Sequence, residues 1–201
     1  MTRPGAGTYS ATEEQARAAL YRLLAALFST PPDRTGLHQL AKMKGNQQPL
    51  GLALADLASA AAAQDPNTVE REFNILFIGL GRGELLPFAS TYRDGHLNGQ
   101  SLVQVRGDMA RLGIVRTPDQ SEPEDHAATM FEIMSGLVQG KFGAAPDPET
   151  QRQFHERNLS PWMDRFLRDV EGTKSADFYR PVARLGRVFM DLEAEAFRLT
   201  G

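Results

Sequence analysis

Cysteine is absent from the 201 residues, and tryptophan occurs once. Without cysteine there is no disulfide framework, no iron–sulfur ligation, no thiolate zinc site and no cysteine nucleophile. The four histidines, His38, His96, His126 and His155, show no paired spacing with carboxylates of the kind that holds a metal. A Gly-x-Ser-x-Gly elbow is missing, which removes support for a serine hydrolase of that type. Long apolar runs are missing too: the longest aliphatic–aromatic run, Leu23 to Phe28, falls far short of the ~20 residues that span a bilayer. Residues 1–12 carry one basic residue and no apolar stretch able to act as a signal-peptide core, so a cytoplasmic location without membrane insertion is expected. Charge of one sign is not in excess. Twenty-two basic and 25 acidic residues leave a net charge of −3, which argues against a general binder of nucleic acid or anionic membranes.

What is present is a composition ordinary for a globular protein, 41% apolar and 23% charged, and apolar residues at helical spacing. Ser10 with Glu13 and Thr12 with Gln15 offer overlapping capping boxes, after which Ala16, Leu20, Leu23, Leu24 and Leu27 recur as the stripe of a helix over 12–29, ended by Pro31-Pro32. Helices are predicted near 34–44 and 50–63. Another is capped by Asn67, with Val69, Phe73, Leu76, Phe77 and Leu80 as its stripe. The pattern resumes at Ser101 and closes at Gly113. Ser121-Glu122-Pro123-Glu124 reads as a capping box opening a helix to about Gln139. After a Gly/Ala/Pro linker at 140–148 come a helix through His155, one from Ser160-Pro161 to about 171, and a last one with Phe178, Val182, Leu185, Phe189, Leu192 and Ala196 on one face. Alternating strand patterns are nearly absent. The expectation is an all-α single domain over 1–201, with eight or nine helices, a flexible N-terminus at 1–10 and a long functional loop at 79–100, which has no helical period.

Two stretches invite chemistry. Gly79-Leu80-Gly81-Arg82-Gly83 looks like a phosphate cradle, but such loops follow a strand and open a helix. Here a helix precedes and no P-loop lysine follows, so a helix-terminating turn is the better reading. Between Arg116 and Lys141 the chain carries five acidic residues and no lysine or arginine. Glu122, Glu124 and Asp125 could serve a helix start, or form a patch for a cationic peptide beside an apolar face made by Met130, Ile133, Met134 and Leu137, with His126 at its edge. Met109, Met130, Met134, Met163 and Met190 read as core filler within predicted helices.

Three motifs in this order carry a resemblance: Phe73-x-x-Leu76-Phe77-x-Gly79-x-Gly81, then Pro87-x-x-Ser90-x-Tyr92, then Glu122-Pro123-x-Asp125-His126. Together they resemble the TorD/DmsD family of chaperones for twin-arginine-exported molybdoenzymes. Phe154, Leu159, Pro161 and Trp162 are similar to that family's C-terminal segment, with Asn158 where it usually has histidine. The resemblance covers about residues 13–197. It implies an all-helical cytoplasmic chaperone without enzymatic turnover, catalytic residues or metal. Its partners would be the twin-arginine leader peptide and apo-catalytic subunit of a molybdoenzyme, along with cofactor-synthesis or export machinery. The implied peptide site comprises Phe73, Leu76, Phe77, Pro87, Ser90, Tyr92, Glu122, Asp125 and His126. The implied action is to assist cofactor insertion and delay export until it is complete. The resemblance implies no resident cofactor, with weak guanine-nucleotide binding as the one exception discussed for the family. Two other readings stand beside it: a guanine-nucleotide-binding or hydrolysing helical protein, disfavoured by the missing lysine and phosphate loop, and a generic helical peptide-binding regulator.

Overall fold

The computed structural model describes residues 10–79, 83–116, 122–143 and 147–200. Residues 1–9, most of the stretch expected to be a flexible N-terminus, lie outside them, as do Leu80–Arg82 and the predicted cap Ser121. The fold is all-α. Ten α-helices are described: α1 Ala11–Ser29, α2 Arg34–Leu40, α3 Pro49–Ala63, α4 Pro66–Phe73, α5 Ala89–Asp94, α6 Gln100–Arg111, α7 Ala127–Val138, α8 Pro148–Phe154, α9 Met163–Gly172 and α10 Tyr179–Thr200. Two π-helical turns, Asn74–Ile78 and His155–Leu159, extend α4 and α8. One isolated antiparallel bridge, Phe88 with His126, is the one β-type pairing among the described residues.

Local chemistry explains most boundaries. Ser10 and Glu13 exchange reciprocal hydrogen bonds at the start of α1, the expected capping box. The cap of α4 is Asp65 rather than Asn67: its carboxylate accepts the amides of Asn67 and Thr68, and Pro66 takes the first helical position, where no amide is required. Asp33 and Asp147 cap α2 and α8 in the same way. Pro181 falls in the first turn of α10, where proline is tolerated. The segment 79–100 is not a single loop, because it contains α5. That helix spans six residues, too few to show a period, and its cap comes from a distant part of the sequence.

The contacts fall into two compact units: residues 1–25, 88–162 and 191–201, and residues 26–87 and 163–190. The first unit is built on α7, of which every residue except Glu132 is buried. Around it lie Ala18, Tyr21 and Leu24 of α1, Leu102, Val105 and Met109 of α6, and Phe154, Leu159 and Trp162. Its interior also holds an ionic cluster. Arg17 donates both ways to Glu193, through Nε and Nη2 at 2.7 Å each, and through Nη1 to Gln151 and Glu14 at 3.0 Å; Tyr21 donates its hydroxyl to Glu193 at 2.8 Å. This corrects the predicted stripes at both chain ends: Arg17 is buried and Ala16 exposed, while Glu193 is buried and Leu192 is 47% exposed. Charges enter this core because the fork of one matches the carboxylate of the other.

The second unit has an aromatic interior of Phe28, Phe73, Phe77, Phe166, Phe178 and Tyr179, whose neighbouring rings lie 5.2–6.3 Å apart, several of them edge to face. Glu72 organises its polar side. The carboxylate accepts the amides of Asp177 and Tyr179 on Oε1 at 2.9 and 2.7 Å, and that of Phe178 on Oε2 at 2.9 Å. It thereby satisfies orphan donors at the start of α10 and complements the helix dipole.

Candidate functional site

Phe73, Leu76 and Phe77 sit within the interior of the second unit, 7%, 0% and 6% exposed. Phe73 and Phe77 pack edge to face at 5.3 Å, and both face Tyr179. The π-helical turn that carries Leu76 and Phe77 leaves carbonyls unspent, and the returning chain fills them: Glu84 donates its amide to Ile75 at 3.2 Å and Leu85 to Leu76 at 2.8 Å. Gly83 makes this return possible, since a Cβ there would stand 2.5 Å from the carbonyl carbon of Phe77. Glu84 then accepts the hydroxyls of Thr173 and Ser175 at 3.0 and 2.6 Å. Gly79, at φ 65°, ends the π turn. The amides that follow the glycines are thus spent on carbonyls rather than gathered around an anion. Pro87 is buried. What this unit offers outward is Ile75 and Ile78, 50% and 55% exposed.

The remaining predicted residues lie in the first unit, where Ser90, Asp125 and His126 come together. Asp125 is fully buried. Its backbone carbonyl accepts the amide of Ala89 at 2.9 Å and its Oδ2 the amide of Ser90 at 2.8 Å, so it closes the first turn of α5. The acidic run therefore serves a helix, but α5 rather than the one it was expected to open. Asp125 Oδ1 and the Ser90 hydroxyl are buried without a hydrogen-bond partner among the described residues. Glu122 is exposed, whereas Glu124 is buried and paired with Arg106 at 2.9 Å.

His126 is the cap of α7, which begins at Ala127 and not near Ser121. Its Nδ1 accepts the amide of Ala128 at 3.1 Å, placing the ring proton on Nε2. Burial pushes its pKa down to about 4, so the ring is neutral at ordinary pH. It meets Phe88 edge to face, ring centres 5.0 Å apart. The result is a neutral imidazole and a phenyl ring beside a carboxylate with an unused oxygen.

Tyr92, half-buried on α5, packs on Trp162 with centroids 5.7 Å apart. Sequence reasoning missed what holds that pair. Trp162 donates its indole N–H to the carbonyl of Asn158 at 2.7 Å. Asn158 is fully buried; its amide donates to Asp108 Oδ2 at 2.9 Å and to the Phe154 carbonyl at 3.2 Å, while its oxygen accepts from Gln104 at 3.3 Å. An amide serves this place as both donor and acceptor. Asp108 also pairs with Arg111 and Arg157. The only signal for this hub in the sequence was the asparagine where a histidine is usual.

Among the described residues no group of three or more histidine or acidic side chains could hold a metal ion, and no helix is long and apolar enough to cross a membrane.

A family model described as nitrate reductase delta subunit matches residues 44–168. The chain is 27% identical over 126 residues to chaperone protein TorD of Vibrio cholerae, covering 59% of this chain and 57% of that protein. That match spans little more than half of the relative's length. It is 23% identical over 203 residues to chaperone protein TorD of Shewanella pealeana, covering 90% of each. With DmsD of Haemophilus influenzae, named as a Tat proofreading chaperone, identity is 26% over 119 residues, covering 58% of this chain and 56% of that one. These relatives are named as chaperones rather than as enzymes. The crystal structure of a redox enzyme maturation protein from Archaeoglobus fulgidus shares the fold, with TM-score 0.59 at 20% identity, covering 94% of this chain and 99% of that one.

Proposed function

The chain belongs to the nitrate reductase delta subunit family, which takes in the TorD and DmsD chaperones, and we propose that it is a chaperone for the maturation of a molybdenum-dependent redox enzyme. In this reading it works in the cytoplasm. It binds the twin-arginine signal peptide and the apo-form of the client's catalytic subunit, assists insertion of the client's cofactor and delays export until then. It holds no cofactor of its own.

The observation that carries the reading is the Asp125 carboxylate. One oxygen is engaged by Ser90 and the other has no donor among the described residues, and the residue that follows it in the chain is His126, whose ring is neutral. A guanidinium supplies the missing donors, and its bond to a carboxylate is the strong, charge-assisted kind. The apolar stretch behind a twin-arginine pair calls for apolar neighbours, and the Phe88 ring, packed edge to face on His126, is one such neighbour here.

Titration calorimetry with a synthetic peptide carrying two arginines and an apolar stretch tests this, with GTP titrated separately. The peptide should bind without nucleotide. Asp125→Asn should weaken it about 10- to 150-fold, the equivalent of ~1.5–3 kcal/mol for a charge-assisted bond. Unchanged affinity together with a lowered melting temperature would leave Asp125 as a helix cap alone. GTP binding with turnover, and no peptide binding, would favour a nucleotide enzyme.

A further inference from the structure

The chain has five asparagines, Asn46, Asn67, Asn74, Asn98 and Asn158, and the fold treats them differently. Asn67 stands in the first turn of α4 and Asn74 in the π-helical turn that follows it. Asn46 spends its side-chain oxygen on the amide of Gln48 at 2.9 Å. Asn158 is fully buried and bonded at both ends of its amide. Asn98 is exposed, outside any helix, left-handed at φ 59°, and followed by Gly99. No described residue bonds to its side chain.

That combination is reactive. The amide nitrogen of the residue after an asparagine can attack the side-chain carbonyl carbon, and a following glycine, without a Cβ, leaves the approach open. A helix locks the backbone away from the required geometry, and a buried or bonded side chain cannot turn to meet it. Around Asn98 neither restraint applies. Gly95 is left-handed at φ 81° with open space around it, and residues 95–98 are all exposed. The nearby Asp94–Gly95 pair, the aspartate counterpart of the same sequence, is restrained: its two carboxylate oxygens accept the amide of Ser101 at 2.8 Å and the hydroxyl of Ser101 at 3.1 Å.

We propose that Asn98–Gly99 is a self-modification site, at which the chain deamidates without an enzyme. The Gly99 nitrogen bonds to Cγ of Asn98 and gives up its proton; the Cγ–Nδ2 bond breaks, and ammonia leaves with that proton. The succinimide so formed takes up one water, which opens it at either carbonyl to leave aspartate or isoaspartate at position 98. Each product carries a new carboxylate, and isoaspartate routes the main chain through its Cβ, lengthening it by one atom. Gly99 is buried against Asp94, so closely that a Cβ on it would stand 2.4 Å from Oδ2. Conversion therefore sets a second negative charge beside the Asp94–Ser101 clasp, which joins the end of α5 to the start of α6, and loosens it. The inference is independent of the peptide-binding reading.

Ageing the purified full-length chain in mildly alkaline buffer tests it. Trypsin releases residues 94–106, in which Asn98 is the one asparagine. With time this peptide should gain the mass difference between a hydroxyl and an amino group, placed at residue 98 by fragmentation. The gain should be faster at higher pH and should run ahead of that in peptides carrying the other four asparagines. Because conversion adds negative charge, a more acidic band should grow on isoelectric focusing. Asn98→Gln should lose both signals, since its longer side chain closes a ring far more slowly. In the converted fraction the Ser101 amide should exchange faster. The same chain aged in guanidinium provides the comparison. Conversion at 98 in the denatured chain but not in the folded one would overturn the site, as would folded-state conversion no faster at Asn98 than at Asn46, Asn67 or Asn74. Conversion with unchanged Ser101 exchange would overturn the loosening of the clasp.

Discussion

Glu72 offers the sharpest test of how this chain divides folding from recognition, because it stands next to Phe73, the first residue of the motif expected to form part of the peptide site. Replacing it with glutamine keeps the shape and removes the charge. In the native protein its two oxygens accept three amides at 2.7–2.9 Å at the start of α10, and the side chain is 6% exposed. Glutamine retains one oxygen, enough for Asp177 and Tyr179, but turns an NH2 group toward the Phe178 amide, so donor faces donor. The loss is one charge-assisted bond plus the charge contribution to two others, about 2–4 kcal/mol, including the favourable term of an anion at a helix N-terminus. For a chain of this size that lowers the melting temperature by about 4–16 °C. Urea unfolding followed by circular dichroism measures it, with Glu70→Gln, exposed on the same helix, as the control expected to stay within about 0.5 kcal/mol of wild type. Peptide affinity per folded molecule should not change. A Glu72→Gln protein as stable as wild type would refute the capping role. One that folds normally but loses the peptide would place this stretch in the recognition site.

Two buried histidines, His126 and His155, have pKa values pushed down to about 4 by burial. The unfolded chain therefore takes up protons first as pH falls, so the stability they contribute is present above about pH 6.5 and lost on the way down to 4; by pH 5.5 the loss is about 1.4 kcal/mol for each, checked by urea melts at pH 7.5 and 5.5. Arg17→Met strands Glu193 without its bidentate partner and should cost about 3–5 kcal/mol, whereas adding Glu193→Leu should restore much of it, as calorimetric melts of the single and double variants would record. Asn158→Ala removes the amide that joins Gln104, Asp108 and the Phe154 carbonyl, and should cost about 2–4 kcal/mol with a change in Trp162 fluorescence.

The parts of the fold that could be read from the sequence are those decided by neighbours in the chain. The cap of α1 lies within three residues of its partner, and the methionines at 109, 130, 134, 163 and 190 are buried as their helical spacing indicates. What could not be read depends on residues far apart. Arg17 and Glu193 belong in the core because they meet across 176 positions, and a rule that puts charges outside excludes each taken singly. The start of α7 was misplaced because its cap is a histidine, a residue that accepts a backbone amide only through its neutral ring, the form that burial secures here. The helix inside 79–100 was invisible because Asp125, 35 positions from Ser90, supplies its cap. The motif residues were legible as a group, but the places the fold gives them were not: Phe73, Leu76 and Phe77 are buried among aromatic rings, while Ser90, Asp125 and His126 meet one another.

Asp125 and Glu72 make an instructive pair. Each is a buried carboxylate that closes the start of a distant helix, so loss of either should destabilise the protein. They differ in what is left over. Glu72 has both oxygens committed to amides of its own chain, which leaves nothing for a ligand. Among the described residues Asp125 commits one and keeps the other. Capping alone does not account for an unspent acceptor in the interior, since a serine, threonine or asparagine cap satisfies the same amide without burying a charge. The carboxylate is the costlier choice for the fold, and it becomes the better choice once a cationic donor is part of the working state. Peptide affinity should therefore separate the two residues where melting temperature cannot.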